Sequence, residues 1–508
     1  MNLASINNMK SDYNPVSLAK LFAGLDCVVA GDFSEMMVTG LANDSRKVKP
    51  GDLFFAVPGF VTDGKKFIPE AVSLGATGVV VQSDVSGIEG VPVIKCKDIK
   101  RTMSVVANRF FDFPSTSLHI VGVTGTNGKT TVSYLFTHIM DCCGEKYGRI
   151  GTVEYYTGKR TVNALNTTPD ALELQTLLAE MRDFGMSGCV MEVSSHALEQ
   201  GRCNDMEFTG AVFTNLTQDH LDYHKDMENY LKAKSILFSD LLKEDGFAII
   251  NIDDPYSGKI KSLCRGKILT FSVIGSSNRA STADIKLIDG GCKDNIRYFE
   301  VTFGNRTLSG SMPLLGRFNL SNAAAAIGTA ISSGCRFDEA IEALKTSPQV
   351  PGRVERIDLG QPFEVVVDYA HTPDALKNLL TGVESSGEKI LVFGCGGNRD
   401  KTKRPIMGKI AVEFADRVII TSDNPRNESP TRIINDILKG ISQKEDCIVV
   451  EDRNNAISEA LKKAKPDDLV IIAGKGHEDY QVVGNRRIYF SDVDVVKKYL
   501  KKMSHAGS

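Results

Sequence analysis

The residues Thr124-Gly125-Thr126-Asn127-Gly128-Lys129-Thr130-Thr131 have the types and spacing needed to hold a nucleoside triphosphate. Glycines let backbone N–H groups curl around phosphate oxygens, and a helix starting at such a loop adds a favourable dipole. Lys129 would neutralise the β- and γ-phosphates, and the Thr130 hydroxyl would sit on Mg²⁺. The loop departs from the common GxxxxGK[ST] spacing, because position 123 is Val rather than Gly. Glu192 ends a later apolar run, where a phosphate-binding sheet places an acid for Mg²⁺. After it come Val193-Ser194-Ser195-His196 and Thr214-Asn215-Leu216-Thr217-Gln218-Asp219-His220-Leu221-Asp222-Tyr223-His224. A lone histidine is more often structural. Two histidines and two acids after a sheet strand point instead to a loop facing metal and phosphate.

These groups need a scaffold, and the apolar runs supply it. Leu118-His119-Ile120-Val121-Gly122-Val123 reads as a buried strand leading into the loop. Cys189-Val190-Met191-Glu192 and Ala211-Val212-Phe213-Thr214-Asn215 follow with helical stretches between, a βαβ rhythm that implies a largely parallel sheet. Upstream, the short runs 52–57, 78–81 and 91–94 predict a small α/β unit ending near Phe113-Pro114-Ser115-Thr116-Ser117. Downstream, runs at 365–368, 390–393, 417–420, 447–450 and 469–472 predict a doubly wound, Rossmann-like domain, with ligands at the carboxyl ends of its strands. The predicted fold is therefore α/β with three domains. A central P-loop ATPase domain, 117–348, is flanked by an N-terminal α/β domain, 1–116, and a C-terminal Rossmann-like domain, 349–508.

Length and composition agree. At about 100–200 residues per domain, 508 residues exceed one core. With 60 Lys plus Arg against 63 Asp plus Glu, the net charge of -3 disfavours a nucleic-acid surface but permits a focused anion site. No apolar stretch approaches the ~20 residues of a membrane span, and the polar N-terminus lacks a signal core. Eleven scattered cysteines, without framework spacing, predict reduced thiols and a cytoplasmic location.

The 125–131 loop, the Glu192–His196 and Thr214–His224 motifs, Gly316-Arg317-Phe318-Asn319-Leu320-Ser321-Asn322, Pro351-Gly352-Arg353-Val354-Glu355 and Asp368-Tyr369-Ala370-His371-Thr372-Pro373 together resemble the Mur ligases. These ATP-dependent enzymes build the peptidoglycan stem peptide. The resemblance implies an acyl-phosphate mechanism, in which a substrate carboxylate attacks the γ-phosphate and an amine then displaces phosphate. It places Thr130 and Glu192 on one Mg²⁺ and His220 on a second. Asn319 and Asn322 would bind adenine, Asp368 the ribose, and Arg353 the phosphates. Lys234 matches the lysine that family members carbamylate with CO₂, giving an anionic metal ligand. On residue type alone Lys234 is one of several lysines on an amphipathic helix. Ser45, Phe60, Val61 and Thr62 match loops that bind the UDP substrate. Asn166, Thr167, Thr168, Ser194, Gln200 and Arg202 match residues that hold the muramoyl-peptide.

Within the family, Asp423-Asn424-Pro425-Arg426 marks members that add meso-2,6-diaminopimelate to UDP-N-acetylmuramoyl-L-alanyl-D-glutamate. Diaminopimelate carries a second carboxylate that a guanidinium can grip bidentately, whereas lysine would leave that guanidinium unpaired. Arg399, Gly474 and Glu478 complete the expected amino-acid pocket. An L-lysine-adding relative is the alternative. A folylpolyglutamate synthase is disfavoured by the N-terminal unit, and a switch-type ATPase by the amino-acid pocket. The working unit is expected to be a monomer whose C-terminal domain closes on the centre.

Overall fold

The computed structural model describes residues 13–29, 35–59, 62–275, 282–442 and 447–506. The N-terminal strands Gly40–Ala42, Asp52–Phe55, Gly78–Val81 and Val93–Cys96 pair in parallel, and Cys27–Val29 adds an antiparallel edge. Asp98 accepts the Lys100 and Arg101 amides and so starts the helix Ile99–Phe110. The apolar side of this helix packs on Phe55, Val80 and Ile94, and the same cluster runs on into Ala171, Leu172 and Ala179 of the next unit.

The central sheet has 11 strands. Its middle is parallel, in the spatial order Tyr147–Ile150, Gly188–Glu192, His119–Thr124, Phe208–Phe213, Leu242–Asn251, Lys267–Val273 and Ile285–Lys293. Helices cover its strands, so runs such as Gly188–Glu192 are buried along their whole length. The sheet is less uniformly parallel than the βαβ rhythm predicts. Ile285–Lys293, Ile296–Phe303 and Arg306–Met312 form an antiparallel meander. Its first turn places Asp294 and Asn295 at φ of 51° and 61°, the conformation that a two-residue hairpin needs. A second antiparallel flank, Glu154–Tyr156 with Thr161–Asn163, extends the other edge. The helices Lys129–Cys142 and Asn319–Ser332 lie together in one core, where Ala323, Ala324, Ala325 and Ala326 let the second helix come close to Val132, Leu135 and Phe136.

The C-terminal sheet runs Glu355–Arg356, Glu364–Asp368, Leu469–Ala473, Lys389–Phe393, Arg417–Ile420 and Cys447–Val449, all parallel except the first. Separate apolar clusters fill its two faces, as a doubly wound sheet requires. One face is pinned by a fully buried ion pair: Arg453 Nε and Nη2 each donate at 2.7 Å to the Asp492 carboxylate. Arg453→Met should destabilise the chain by about 3–5 kcal/mol, because it leaves Asp492 buried and unpaired. Urea denaturation checks this, and a loss below about 1 kcal/mol would contradict it.

Nine cysteines are not in disulfides, but Cys143 and Cys335 form one, against the expectation of reduced thiols throughout. They lie 192 positions apart, just beyond the carboxyl ends of the two close-packed helices, so spacing could not reveal the pair. Among the described residues no helix is long and apolar enough to cross a membrane.

Candidate active site

The strand His119–Thr124 ends in a loop that only glycine permits at two points. Gly125 has φ +149°, and a Cβ there would lie 1.9 Å from Thr214 Oγ1; Gly128 has φ +89°, and a Cβ would lie 2.3 Å from Asn322 Oδ1. The next strand end clamps the loop. Asn215 Oδ1 accepts the Asn127 amide at 2.9 Å, and Thr214 Oγ1 donates to Asn127 O at 2.6 Å. Thr214 and Asn215 thus anchor the phosphate loop from behind. Lys129 opens the helix and folds back, its Nζ donating to Gly125 O and Thr126 O at 2.9 Å each. Burial lowers its pKa. Thr130 and Thr131 are buried in the first turn.

Lys234 lies on the helix Met227–Ile236, which Asp226 caps by accepting the Asn229 amide. The side chain is 1% exposed, and Nζ donates to Gly125 O at 3.0 Å. Burial, reinforced by the Lys129 ammonium, drives the Lys234 amine well below its ordinary pKa. Lys232, two residues earlier, faces outward. Glu192 is 1% exposed at its strand end, and both carboxylate oxygens accept from Thr152, from the amide and the hydroxyl at 2.9 Å each. Thr152 carried no signal in the sequence. His220 sits at φ 55° beside Asp219, its Nε2 3.4 Å from Oδ2. Burial lowers the His220 imidazole to about 4. Its ring meets His196 edge-on at 4.9 Å. His224, by contrast, is structural: buried, it contacts Ser195 Oγ at 2.8 Å and Glu199 at 3.1 Å.

The C-terminal sheet meets this centre. Arg353 Nη2 donates to Thr130 Oγ1 at 3.2 Å, and Asn127 Nδ2 donates to Asp374 Oδ2 at 3.2 Å, so the C-terminal unit touches the phosphate loop directly. Asp368 is buried and accepts the Val354 and Ala370 amides at 2.8 and 2.7 Å, which leaves it bracing this contact. Asn322 Nδ2 donates to Asn319 Oδ1 at 2.8 Å, and the pair lies behind Gly128. Thr168, Ser194, Gln200 and Arg202 form one network: Thr168 Oγ1 accepts the Ser194 amide at 3.0 Å, and Arg202 donates to Thr168 O and Gln200 Oε1 at 2.8 Å each. Thr167 Oγ1 is 3.1 Å from Thr152 Oγ1, and Tyr155 donates to Asn166 O at 2.6 Å. Ser45 donates to Glu70 at 2.5 Å; Ser45 and Thr62 do not line the central cleft. Phe60 and Val61 lie outside the described residues.

A cleft of about 1000 Å³ separates the central and C-terminal sheets. Asn166, Thr167 and His220 line one wall, and Arg399, Asp423, Asn424, Arg426, Gly474 and Glu478 line the other. Arg426, held at φ 52°, donates from Nη1 to Gly397 O at 2.8 Å. Burial lowers its pKa, and the Arg399 guanidinium adds to the effect. Among the described residues, no carboxylate forms an ion pair with Arg399 or Arg426. The wall therefore offers two guanidinium groups outside any ion pair, alongside the carboxylates of Asp423 and Glu478. That is a complement to a small molecule carrying both carboxylate and ammonium groups. Tyr480 and Arg487 also line this wall, with the Arg487 guanidinium 3.5 Å above the Tyr480 ring. Neither stood out in the sequence.

A phosphate loop on a parallel sheet, faced across a cleft by an amino-acid-shaped pocket on a second sheet, defines an ATP-dependent ligase built from three units. Residues 37–111 match the Mur ligase family catalytic domain, 123–330 the Mur ligase middle domain, and 352–476 the Mur ligase glutamate ligase domain. The UDP-N-acetylmuramoyl-L-alanyl-D-glutamate--2,6-diaminopimelate ligase of Listeria monocytogenes is 43% identical over 473 residues, covering 92% of this chain and 95% of its own. The protein of that name from Gloeobacter violaceus is 44% identical over 475 residues, with the same coverage of 92% and 95%. A solved structure of a ligase with that name superposes with a TM-score of 0.66 at 32% identity, over 97% of this chain and 100% of its own. The chain belongs to the Mur ligase family.

Proposed function

We propose that this ligase joins meso-2,6-diaminopimelate to the D-glutamate γ-carboxylate of UDP-N-acetylmuramoyl-L-alanyl-D-glutamate, converting ATP to ADP and phosphate in peptidoglycan precursor synthesis. The observation that carries the reading is the pair of guanidinium groups without an ion-pair partner among the described residues, Arg399 and Arg426, beside Asp423 and Glu478 in a cleft that opens towards the phosphate-loop domain. Diaminopimelate offers carboxylate and ammonium groups at both ends. One end can engage this wall while the other presents its amine. L-Lysine, with a single carboxylate, would leave a guanidinium desolvated and unmatched.

A carboxylate oxygen of the bound dipeptide attacks the γ-phosphorus, and ADP leaves. The resulting acyl phosphate is attacked at carbon by the neutral amine of diaminopimelate, phosphate departs, and the amine proton is lost to solvent. Two anions must meet in the first step, so charge neutralisation and positioning carry most of the catalysis. Lys129 swings from the loop carbonyls to the phosphates, Arg353 approaches them from the opposite domain, and the loop amides of 125–128 receive their oxygens. Asn166, Thr167, Thr168, Ser194, Gln200 and Arg202 hold the muramoyl-peptide, and Ser45 and Thr62 belong to the uridine side. Asn319 and Asn322 face adenine, and Asp368 the ribose.

The oxygen donors of Thr130 and Glu192 suit a hard cation, and burial favours the neutral His220 imidazole, the form that can ligate. When bound, Mg²⁺ would supply charge neutralisation at the phosphates. Lys234 meets the chemical requirement for carbamylation. An unprotonated amine can attack CO₂, forming an N–C bond and releasing a proton, and burial favours that unprotonated form. The carbamate then adds an anionic oxygen ligand beside the loop. ATP and nucleotide sugars are cytoplasmic, and the reaction belongs there.

The acyl-phosphate step is tested with substrate carrying heavy oxygen in the γ-carboxylate. One labelled oxygen should appear in the released phosphate, and unlabelled phosphate would overturn the mechanism.

A further inference from the structure

We propose that Lys475 is a positioning residue for the amino-acid substrate, locking one oxygen of Glu478 so that the other is presented to the substrate ammonium. Lys475 is fully buried and is not among the residues lining the cleft, so it lies behind the wall and out of solvent. An ammonium costs too much to bury unless it is paired, and here both acceptors belong to residues of the cleft wall. Nζ donates to Glu478 Oε2 at 3.0 Å and to Asn424 Oδ1 at 3.4 Å. Asn424 closes the triangle, its Nδ2 donating to the same Glu478 Oε2 at 3.0 Å, while its Oδ1 also accepts the Val482 amide at 2.9 Å.

Glu478 Oε2 is thus saturated by two donors on the buried side. Among the described residues, Oε1 meets only the Tyr480 hydroxyl, at 3.4 Å. The backbone is shaped for this arrangement. Gly474 and Gly476 adopt φ of +117° and +53° on either side of Lys475, and the Glu478 amide donates to Lys475 O at 3.0 Å, which closes a turn that brings the two side chains together. A carboxylate fixed in this way is ready to receive an ammonium without first losing rotamer freedom.

The inference rests on the proposed amino-acid site and is tested in the purified full chain by a double-mutant cycle of Lys475→Met and Glu478→Gln. Lys475→Met should raise KM for diaminopimelate by about tenfold or more, the scale of a hydrogen bond to a charged group. KM for ATP and for the UDP-dipeptide should stay within about twofold, a change inside ordinary additivity error. In the Glu478→Gln background the same replacement should change KM for diaminopimelate by no more than about twofold, because residues acting through one another are not additive. Equal effects in both backgrounds, or a parallel rise in KM for ATP, would overturn the proposal. If Lys475→Met does not fold, Lys475→Gln, which keeps a donor without the charge, should show the same split. Failure of both to fold would assign Lys475 to stability alone and also overturn it. A wild-type chain that rejects diaminopimelate would refute the function itself. Additive effects in a chain that accepts it would refute only the role of Lys475.

Discussion

Lys234→Ala is expected to lower ligase turnover by about 10²- to 10³-fold, the range found when one preorganised charge-stabilising group is removed. Formate or acetate should restore part of the activity. Two properties of Lys234 make the effect this large. Its amine is sealed against Gly125 O, one residue past the strand that carries the phosphate loop, and burial there pushes its pKa well down. A surface lysine on the same helix would be protonated and hydrated, and could neither capture CO₂ nor influence the phosphates. Small carboxylates can substitute for the carbamate because the missing element is an anionic oxygen at one place. The replacement also removes a polar amine from a buried site, so the fold should survive it. Steady-state phosphate release with and without added formate checks the prediction. Undiminished activity in the variant would remove Lys234 from the mechanism.

Replacing Arg426 with Met should cost about 2–5 kcal/mol of binding to diaminopimelate, as truncating one partner of a desolvated charge pair generally does. That corresponds to roughly 30-fold or more in kcat/KM. Turnover of L-lysine, which has no carboxylate for this guanidinium, should fall much less, so the ratio of the two substrates should move towards lysine. The prediction follows from geometry as well as charge. Arg426 is fixed by its own backbone, at φ 52° with its amide bonded to Val482 O, and its Nη1 is committed to Gly397 O. The remaining guanidinium nitrogens are therefore aimed rather than free to search. An unchanged substrate ratio in the variant would show that Arg426 plays no part in selecting the amino acid.

The parts of this molecule that were legible in the sequence are those governed by local rules. The phosphate loop was readable because glycine at 125 and 128 answers a backbone requirement that the structure displays as positive φ and contacts under 2.5 Å for any added Cβ. The central strands were readable because burial on both faces forces continuous apolar runs. The meander 285–312 was not, since its strands alternate in exposure and carry charged residues on the open face, which blurs the strand pattern.

Site residues divide in the same way. Lys129 and Glu192 occupy positions that the strand-loop-helix grammar specifies. Lys234 does not, because helical periodicity alone could not choose between it and Lys232, and only the family resemblance singled it out. Thr152 bonding Glu192, Asp374 bonding Asn127, and Lys475 beneath Glu478 depend on how the chain brings side chains together in space, and no local pattern announces them. His224 shows the converse. It stands in a motif that reads as metal-facing, yet the fold buries it against Ser195 and Glu199.

The amino acid that the C-terminal wall selects decides which ligase this is. The most direct test is phosphate release by the purified chain with ATP, Mg²⁺ and UDP-N-acetylmuramoyl-L-alanyl-D-glutamate, comparing meso-2,6-diaminopimelate with L-lysine at equal concentration. The structure predicts release dependent on diaminopimelate, with kcat/KM at least about 100-fold above that for lysine, the discrimination expected when a site's buried cation is matched in one substrate and stranded in the other. Equal use of the two, or a preference for lysine, would contradict it.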